Sequence, residues 1–467
     1  MRNTQGDKGN LSRRNFLAAG AAAVGGGTLA SACGSDDDGD SSNSSATTGD
    51  SSSDTTTGTA GGGAAEGGTI KIGYVTPQTG ELAAFGEADD FVLGQLRDLF
   101  AEGVDVGGAT YTIEILDRDS ESNANTAATV ANELIIQEGI QMMCVAQTPD
   151  TTIPVVQACT NNEMPVLSNN APWQPHYLGI GGVLEAETAP PVASEWNYHF
   201  FWGLEDVIEV FLAMWRDVAP ANVVVGAMWP DDPDGNAWSD PIVGFPPALE
   251  AAGYTLVDPG RFPLGTTDFT AQISEFKEAG VEILTGNMIP PDFGAFWAQC
   301  QQQDFQPTAV SIGKCLLFPS AVASYPNPIG LSSEIWWSAE HPFSSSLTGQ
   351  TAAELAAAYE ESTGRQWTQP VGYVHSLFEV AVDALQRAGG ADDKQALLDA
   401  MGQTNLATIA GQVDFNNPVV PHVTKTPLVG GQWVPSEEWD VQFDIATADQ
   451  IPEMQSDVVA LQPIDYA

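Results

Sequence analysis

The chain has 467 residues, room for two α/β lobes with a core each at the usual ~100–200 residues per domain. Fifteen Lys and Arg stand against 61 Asp and Glu, a formal net charge of −46. Such a surface repels nucleic acid and anionic lipid, which argues against binding either by charge; it fits a protein kept soluble in high salt or simply an acidic secreted one.

The first 68 residues read as export signals and tether. Ser12-Arg13-Arg14-Asn15-Phe16-Leu17 resembles the twin-arginine export motif, and residues 17–32 are small or apolar. That run is too short and too weakly hydrophobic to span a membrane. Leu29-Ala30-Ser31-Ala32-Cys33 resembles a lipobox, whose Cys becomes the lipidated first residue of the mature protein. Residues 1–33 are therefore expected to be a signal. Cys33 would be a lipid anchor on the outer face of the cytoplasmic membrane, the chain's only membrane contact. Residues 34–68 are Gly, Ser, Thr, Asp and Ala with almost nothing apolar, a composition that reads as a disordered tether. The remaining cysteines would sit where disulfides are permitted. Cys144–Cys159 and Cys300–Cys315, each separated by 15 positions, are expected to link a helix to an adjacent strand.

From residue 69 the chain alternates strand and helix. Ile70, Ile72, Tyr74 and Val75 make a buried strand, residues 76–80 (TPQTG) a turn, and Phe91, Leu93, Leu96, Leu99 and Phe100 the apolar positions of a helix. Strands follow at 111–116, 141–145 and 165–167, with helices at 123–136 and 151–162 between them. A second series begins near His199. It has strands at 198–202, 223–228, 254–257, 281–286 and 310–313, helices at 204–218, up to 252 and at 269–279, and, after a loop at 287–292, a helix running through 301. After a strand near 334–342 come helices at 352–362, 371–388 and 394–401, then strands at 411–415, 426–429 and 440–445. Repeated βα units imply parallel sheets covered by helices on both faces, with ligands at the carboxyl ends of the strands.

The lipoprotein tail, the opening IKIGYVTPQTG (70–80), the helix GYVHSLFEVAVDALQRAG (372–389) and the late TIAGQVDF (408–415) resemble type I periplasmic binding proteins. The likeness is to the leucine/isoleucine/valine-binding family, the substrate-binding subunits of ABC importers. It implies two Rossmann-like lobes with parallel sheets joined by a three-strand hinge. Lobe 1 would be 69–200 plus 340–407, and lobe 2 would be 201–339 plus 408–467. Crossings would fall near 199–203, 338–342 and 406–410. The implied partners are a small solute and the permease subunits of the importer, with no cofactor, no metal and no nucleic acid.

Loops at the strand ends supply the candidate ligand-binding residues: Phe85, Gln147, Thr148, Asn169, Asn170, Trp173, Trp202, Trp229, Asp234, Met288 and Lys314. The resemblance places Thr148 where amino-acid-binding relatives hold the ligand carboxylate. It places Pro172 where a further Thr is expected, and Asp234 and Met288 or Ile289 where relatives carry Tyr. Where relatives carry a Glu that pairs with the ligand ammonium, the segment is Ser311-Ile312-Gly313-Lys314-Cys315, so a cation replaces an anion. Lys offers donors and no acceptor, which suits a ligand carboxylate or phosphate unless Lys314 pairs with one of the many acidic side chains. Phe85, Trp173, Trp202, Trp229, Trp336 and Trp337 fall at strand ends or crossings, and about two of them are expected to touch a ligand. The expected solute is thus small and polar or anionic, amino-acid-like or an organic or aromatic acid. His341, before Pro342, reads as hinge packing. The sequence has no GxSxG, HExxH or P-loop, so an enzyme is the weaker reading. A ligand-sensing module for a membrane receptor, which would share the fold, is the alternative.

Overall fold

A computed structural model describes residues 65–184, 189–216, 218–219 and 222–466. The expected signal, the lipidated Cys33 and nearly all of the tether lie outside the described residues. The first lobe opens with β1 (Ala65–Thr76), α1 (Asp89–Ala101), β2 (Val104–Val106), β3 (Ala109–Asp119) and α2 (Ala124–Glu133). It continues through β4 (Met142–Val145), α3 (Pro149–Asn161), β5 (Val166–Ser168), α4 (Trp173–Gly179) and β6 (Asn197–Phe200). The second begins with α5 (Leu204–Trp215), β7 (Val224–Pro230), α6 (Pro233–Trp238), α7 (Phe245–Ala252), β8 (Thr255–Val257) and β9 (Arg261–Phe262). Then come α8 (Thr270–Ala279), β10 (Val281–Met288), α9 (Pro290–Gln302), β11 (Ala309–Lys314), α10 (Pro319–Ser324) and β12 (Leu331–Ile335). The last part holds α11 (Ala352–Thr363), α12 (Pro370–Ala388), α13 (Lys394–Met401), β13 (Asn405–Thr408) and β14 (Gly411–Asp414). It ends with β15 (Val423–Thr424), β16 (Val429–Pro435) and β17 (Val441–Thr447).

Two sheets result, ordered β15-β6-β5-β4-β1-β3-β2 and β17-β16-β12-β11-β10-β7-β8. Their central pairs are parallel, and antiparallel strands close one edge of each. β1 is buried on both faces because alternate residues enter different cores. Tyr74 packs in the core that holds Leu93, Leu96 and Phe100 of α1, while Val75 packs with Val145 and Val155 on the other side. α12 is buried nearly all round, as expected of a helix inside a core rather than over it.

The chain passes between the sheets three times: between β6 and α5, between β12 and the α11–α12 pair, and between β15 and β16. The third passage lies at 424–429, later than the 406–410 expected from sequence. β13 and β14 form a hairpin of their own, and Val423–Thr424 adds an edge to the first sheet beside His199 and Phe200. A two-residue strand carries no periodicity to read.

The expected disulfides are absent: Cys144, Cys159, Cys300 and Cys315 are buried free thiols. Cys144 points into the core shared with α1, and Cys159 packs in the core on the opposite face of the sheet, so sequence spacing misled where strand alternation decides. Cys300 and Cys315 share one core as unbonded apolar side chains.

Candidate functional site

The carboxyl ends of the parallel strands face each other across the two lobes. They enclose a narrow cavity of about 20 Å³. From the first lobe come Phe85, Thr148, Asn170 and Pro172; from the passages between lobes, Phe201, Trp202 and Trp336; from the second, Asp234, Trp238, Lys314, Leu317 and Glu334. All twelve are buried. The lobes touch directly, with the Phe85 and Phe318 rings edge to face at 4.8 Å, so this is a closed arrangement.

The loops that present these side chains carry unusual backbone. Gln147, Thr148, Asn170 and Lys314 all have positive φ, between 56° and 74°. Thr148 combines φ 65° with ψ 153°, a region that β-branched residues rarely enter and that costs on the order of 1–3 kcal/mol. Gln147 does not line the cavity, but its Oε1 accepts from Asn170 Nδ2 at 2.9 Å and so turns Asn170 Oδ1 the other way. Asp232 caps α6 by accepting from the Gly235 amide at 2.6 Å, which fixes the loop that carries Asp234.

Lys314 is ion-paired. Its Nζ lies 2.9 Å from Asp232 Oδ2 and 2.7 Å from Asp234 Oδ2. Burial would lower its pKa, but Asp232, Asp234 and Asp150 outweigh that and hold the ammonium above its ordinary value. Of the two roles left open for Lys314, anchor for an anion or partner of acidic side chains, the second holds: both of its near carboxylates belong to the protein. Asp150, from the start of α3 in the opposite lobe, is raised by burial against the pull of Lys314. Glu334 accepts from Ser333 Oγ at 2.7 Å and from the Lys314 amide at 3.4 Å. Burial raises Glu334 to about 7, and raises Asp234 to about 7 against the Lys314 charge.

Several lining groups are buried with no hydrogen-bond partner. They include the indole N–H of Trp202, Trp238 and Trp336, the Thr148 hydroxyl, Asn170 Oδ1 and Asp234 Oδ1. Buried polar groups are nearly always satisfied in native proteins, so a concentration of orphans around one cavity marks a place where something binds.

Of the residues expected from sequence, the cavity gathers Phe85, Thr148, Asn170, Trp202, Asp234 and Lys314. The others serve elsewhere. Asn169 donates to the Tyr373 carbonyl at 2.9 Å. Trp173 donates to Glu205 at 3.1 Å and packs on Tyr177. Trp229 lies in the core with Trp238 and Phe245, and Met288 in the core with Phe293 and Ile312. Large apolar side chains at strand ends are drawn to the nearest core rather than to the cleft. Trp337 donates to the Ile409 carbonyl at 3.1 Å, and His341 accepts from the Ser338 amide at 3.0 Å.

Sequence reasoning missed Phe201, Trp238, Leu317 and Glu334. Glu334 had a signal, an acid inside the fully buried strand β12 (LSSEI). It brings a carboxylate to the cavity from the strand beside Lys314.

The profile of the family described as "Periplasmic binding protein" matches residues 69–434. Among solved structures, a solute binding protein of an ABC transporter from Rhodopseudomonas palustris BisB5, in complex with 3,4-dihydroxybenzoic acid, aligns with TM-score 0.63 at 18% identity. That alignment covers 82% of this chain and 99% of that one. A leucine binding protein from Thermotoga maritima MSB8 aligns with TM-score 0.62 at 17% identity, over 80% of this chain and 97% of that one. A branched-chain amino acid binding protein from Streptococcus pneumoniae, in complex with isoleucine, gives 0.61 at 18%, over 80% and 99%. At these identities the likeness is one of fold. No curated protein matches the chain.

Proposed function

The chain belongs to the periplasmic binding protein family, and on that premise we propose that it is the solute-binding subunit of an ABC importer, capturing one small polar solute between its lobes. The family is one of extracytoplasmic solute-binding proteins rather than enzymes. The observation that carries the reading is the set of unpartnered buried groups around the interlobe cavity: three indole donors with Asn170 Oδ1, Asp234 Oδ1 and the Thr148 hydroxyl. An unsatisfied buried group costs about 1–3 kcal/mol. A solute offering acceptors to the indoles and donors to the oxygens would remove several such costs at once. It would do so only when both lobes surround it, so binding and closure are coupled.

The named ligands of the similar structures, a dihydroxybenzoic acid and isoleucine, share a carboxylate but differ in body and in the ammonium, so the fold leaves the choice of solute to the cavity. An organic anion held on Lys314, the expectation from sequence, loses its support because that ammonium is already paired. Delivery to a permease would follow recognition of the closed form. The alternative, a sensing module that docks on a membrane receptor, would use the same closure.

A thermal-shift screen of amino acids, amides, amines and organic acids, in low and high salt, tests capture. A cognate solute raises the melting temperature by mass action. Trp336→Phe keeps an aromatic ring, though a smaller one, and removes one donor, and is expected to weaken binding about tenfold. Equal binding by wild type and Trp336→Phe would contradict the assignment of the site. For the tail, we propose twin-arginine export and lipidation at Cys33. Fatty-acid labelling should vanish in Cys33→Ser, and labelling that persists would refute it.

A further inference from the structure

We propose that the cavity selects a small organic cation: a solute with a protonated amine, an apolar body and a neutral acceptor such as a hydroxyl or an amide carbonyl, but no carboxylate. This rests on the capture reading above and names the chemical class that the same site takes. Three carboxylates, Asp150, Asp232 and Asp234, share one ammonium, Lys314, and a fourth, Glu334, reaches only the Lys314 backbone amide. Lys314 answers Asp232 and Asp234, leaving Glu334 and Asp150 without a close cation among the described residues. The other lysines and arginines found in ion pairs are matched elsewhere, Lys425 for example with Glu205 and Asp206.

Burial disfavours the charged form of these acids, and a positive charge entering with the ligand would restore it. A carboxylate entering the same space would meet this surplus of acid, with only neutral donors, the indole N–H groups and the Thr148 hydroxyl, left unpaired to receive it. The lining also suits a cation in a second way. Phe85, Phe201, Trp202, Trp238 and Trp336 line the space, and aromatic rings accommodate a desolvated ammonium by cation–π attraction. Asp234 Oδ1, Asn170 Oδ1 and Thr148 Oγ1 are unpartnered oxygens that the N–H groups of an amine would satisfy. The indole donors would take a hydroxyl or carbonyl at the far end. A metal ion is a poorer occupant, because among the described residues no group of carboxylates, imidazoles or thiols is arranged to hold one.

The test is a matched series in which shape is kept and charge changes. Tyramine, tyrosine and 3-(4-hydroxyphenyl)propionate form one set; leucinamide, leucine and 4-methylpentanoate form the other. Each is titrated calorimetrically into the wild-type protein at constant salt. The amine of a set should bind at least about tenfold more tightly than its amino acid, and the acid should give no measurable heat. The variant carrying Asp234→Asn with Glu334→Gln should lose about tenfold or more in amine affinity and close the gap to the amino acid. The wild-type ranking decides by itself if that variant does not fold. An amino acid or acid that binds as tightly as its amine overturns the cation inference and leaves capture standing. Silence of both sets overturns it too; if the wider screen is also silent, the capture reading falls with it.

Discussion

Without the Lys314 ammonium, Asp232 and Asp234 would face each other inside the protein with no counter-charge. Breaking a buried pair by removing one partner typically costs about 3–5 kcal/mol. Lys314→Met is therefore expected to lower unfolding stability by that order in urea titrations at neutral pH. A variant as stable as wild type would mean that the ammonium is not structural and would reopen its role as a ligand anchor. Asp89 poses the opposite problem. It opens α1, accepts from the Tyr74 hydroxyl at 3.2 Å, and is raised by burial to about 7. Its folded pKa lies above the unfolded value of about 4. The folded state therefore holds this proton more tightly, and stability is lost as pH rises from about 4 to about 7. Asp89→Asn should gain on wild type across that window, by at most about 4 kcal/mol, and hold a constant margin above it. A margin that does not change with pH would show that Asp89 is charged in the folded protein.

At the scale of elements, the sequence was readable where a segment's own pattern fixed its environment. Ile70, Ile72, Tyr74 and Val75 announced β1, and the apolar positions of α1 and α12 were plain. Six of the eleven expected ligand residues line the cavity, because strand-end loops at the carboxyl edge of a parallel sheet have nowhere else to face. What stayed hidden depended on partners distant in sequence. The ion pairs of Lys314 needed α6 beside β11, Glu334 needed β12 beside it, and the third passage depended on the two-residue pairing of Val423–Thr424. Close packing between elements was equally invisible. Gly372, near the start of α12, lies against the Trp337 indole, and a Cβ there would enter the ring's van der Waals shell. Gly372→Ala should destabilise the protein by about 1–3 kcal/mol through overpacking. A neutral effect in thermal or urea unfolding would show that α12 can withdraw from the passage between the lobes.

At the scale of the whole molecule, the account joins three features: two lobes of similar build, a buried polar cavity between them, and a closed arrangement in which Phe85 of one lobe meets Phe318 of the other. The charge of −46 keeps the outer surface away from anionic partners, while the buried carboxylates bring the same sign to the binding space. Both halves of the cavity must close to bury the solute, so a single molecule should bind per chain and leave chemically unchanged. The most direct test is to saturate the protein with the best solute of the screen, remove the excess, and quantify what is released on unfolding by mass spectrometry. One intact solute per wild-type chain, and little or none from Trp336→Ala, is the predicted result. A solute recovered as a product, or retained equally by Trp336→Ala, would contradict capture between the lobes.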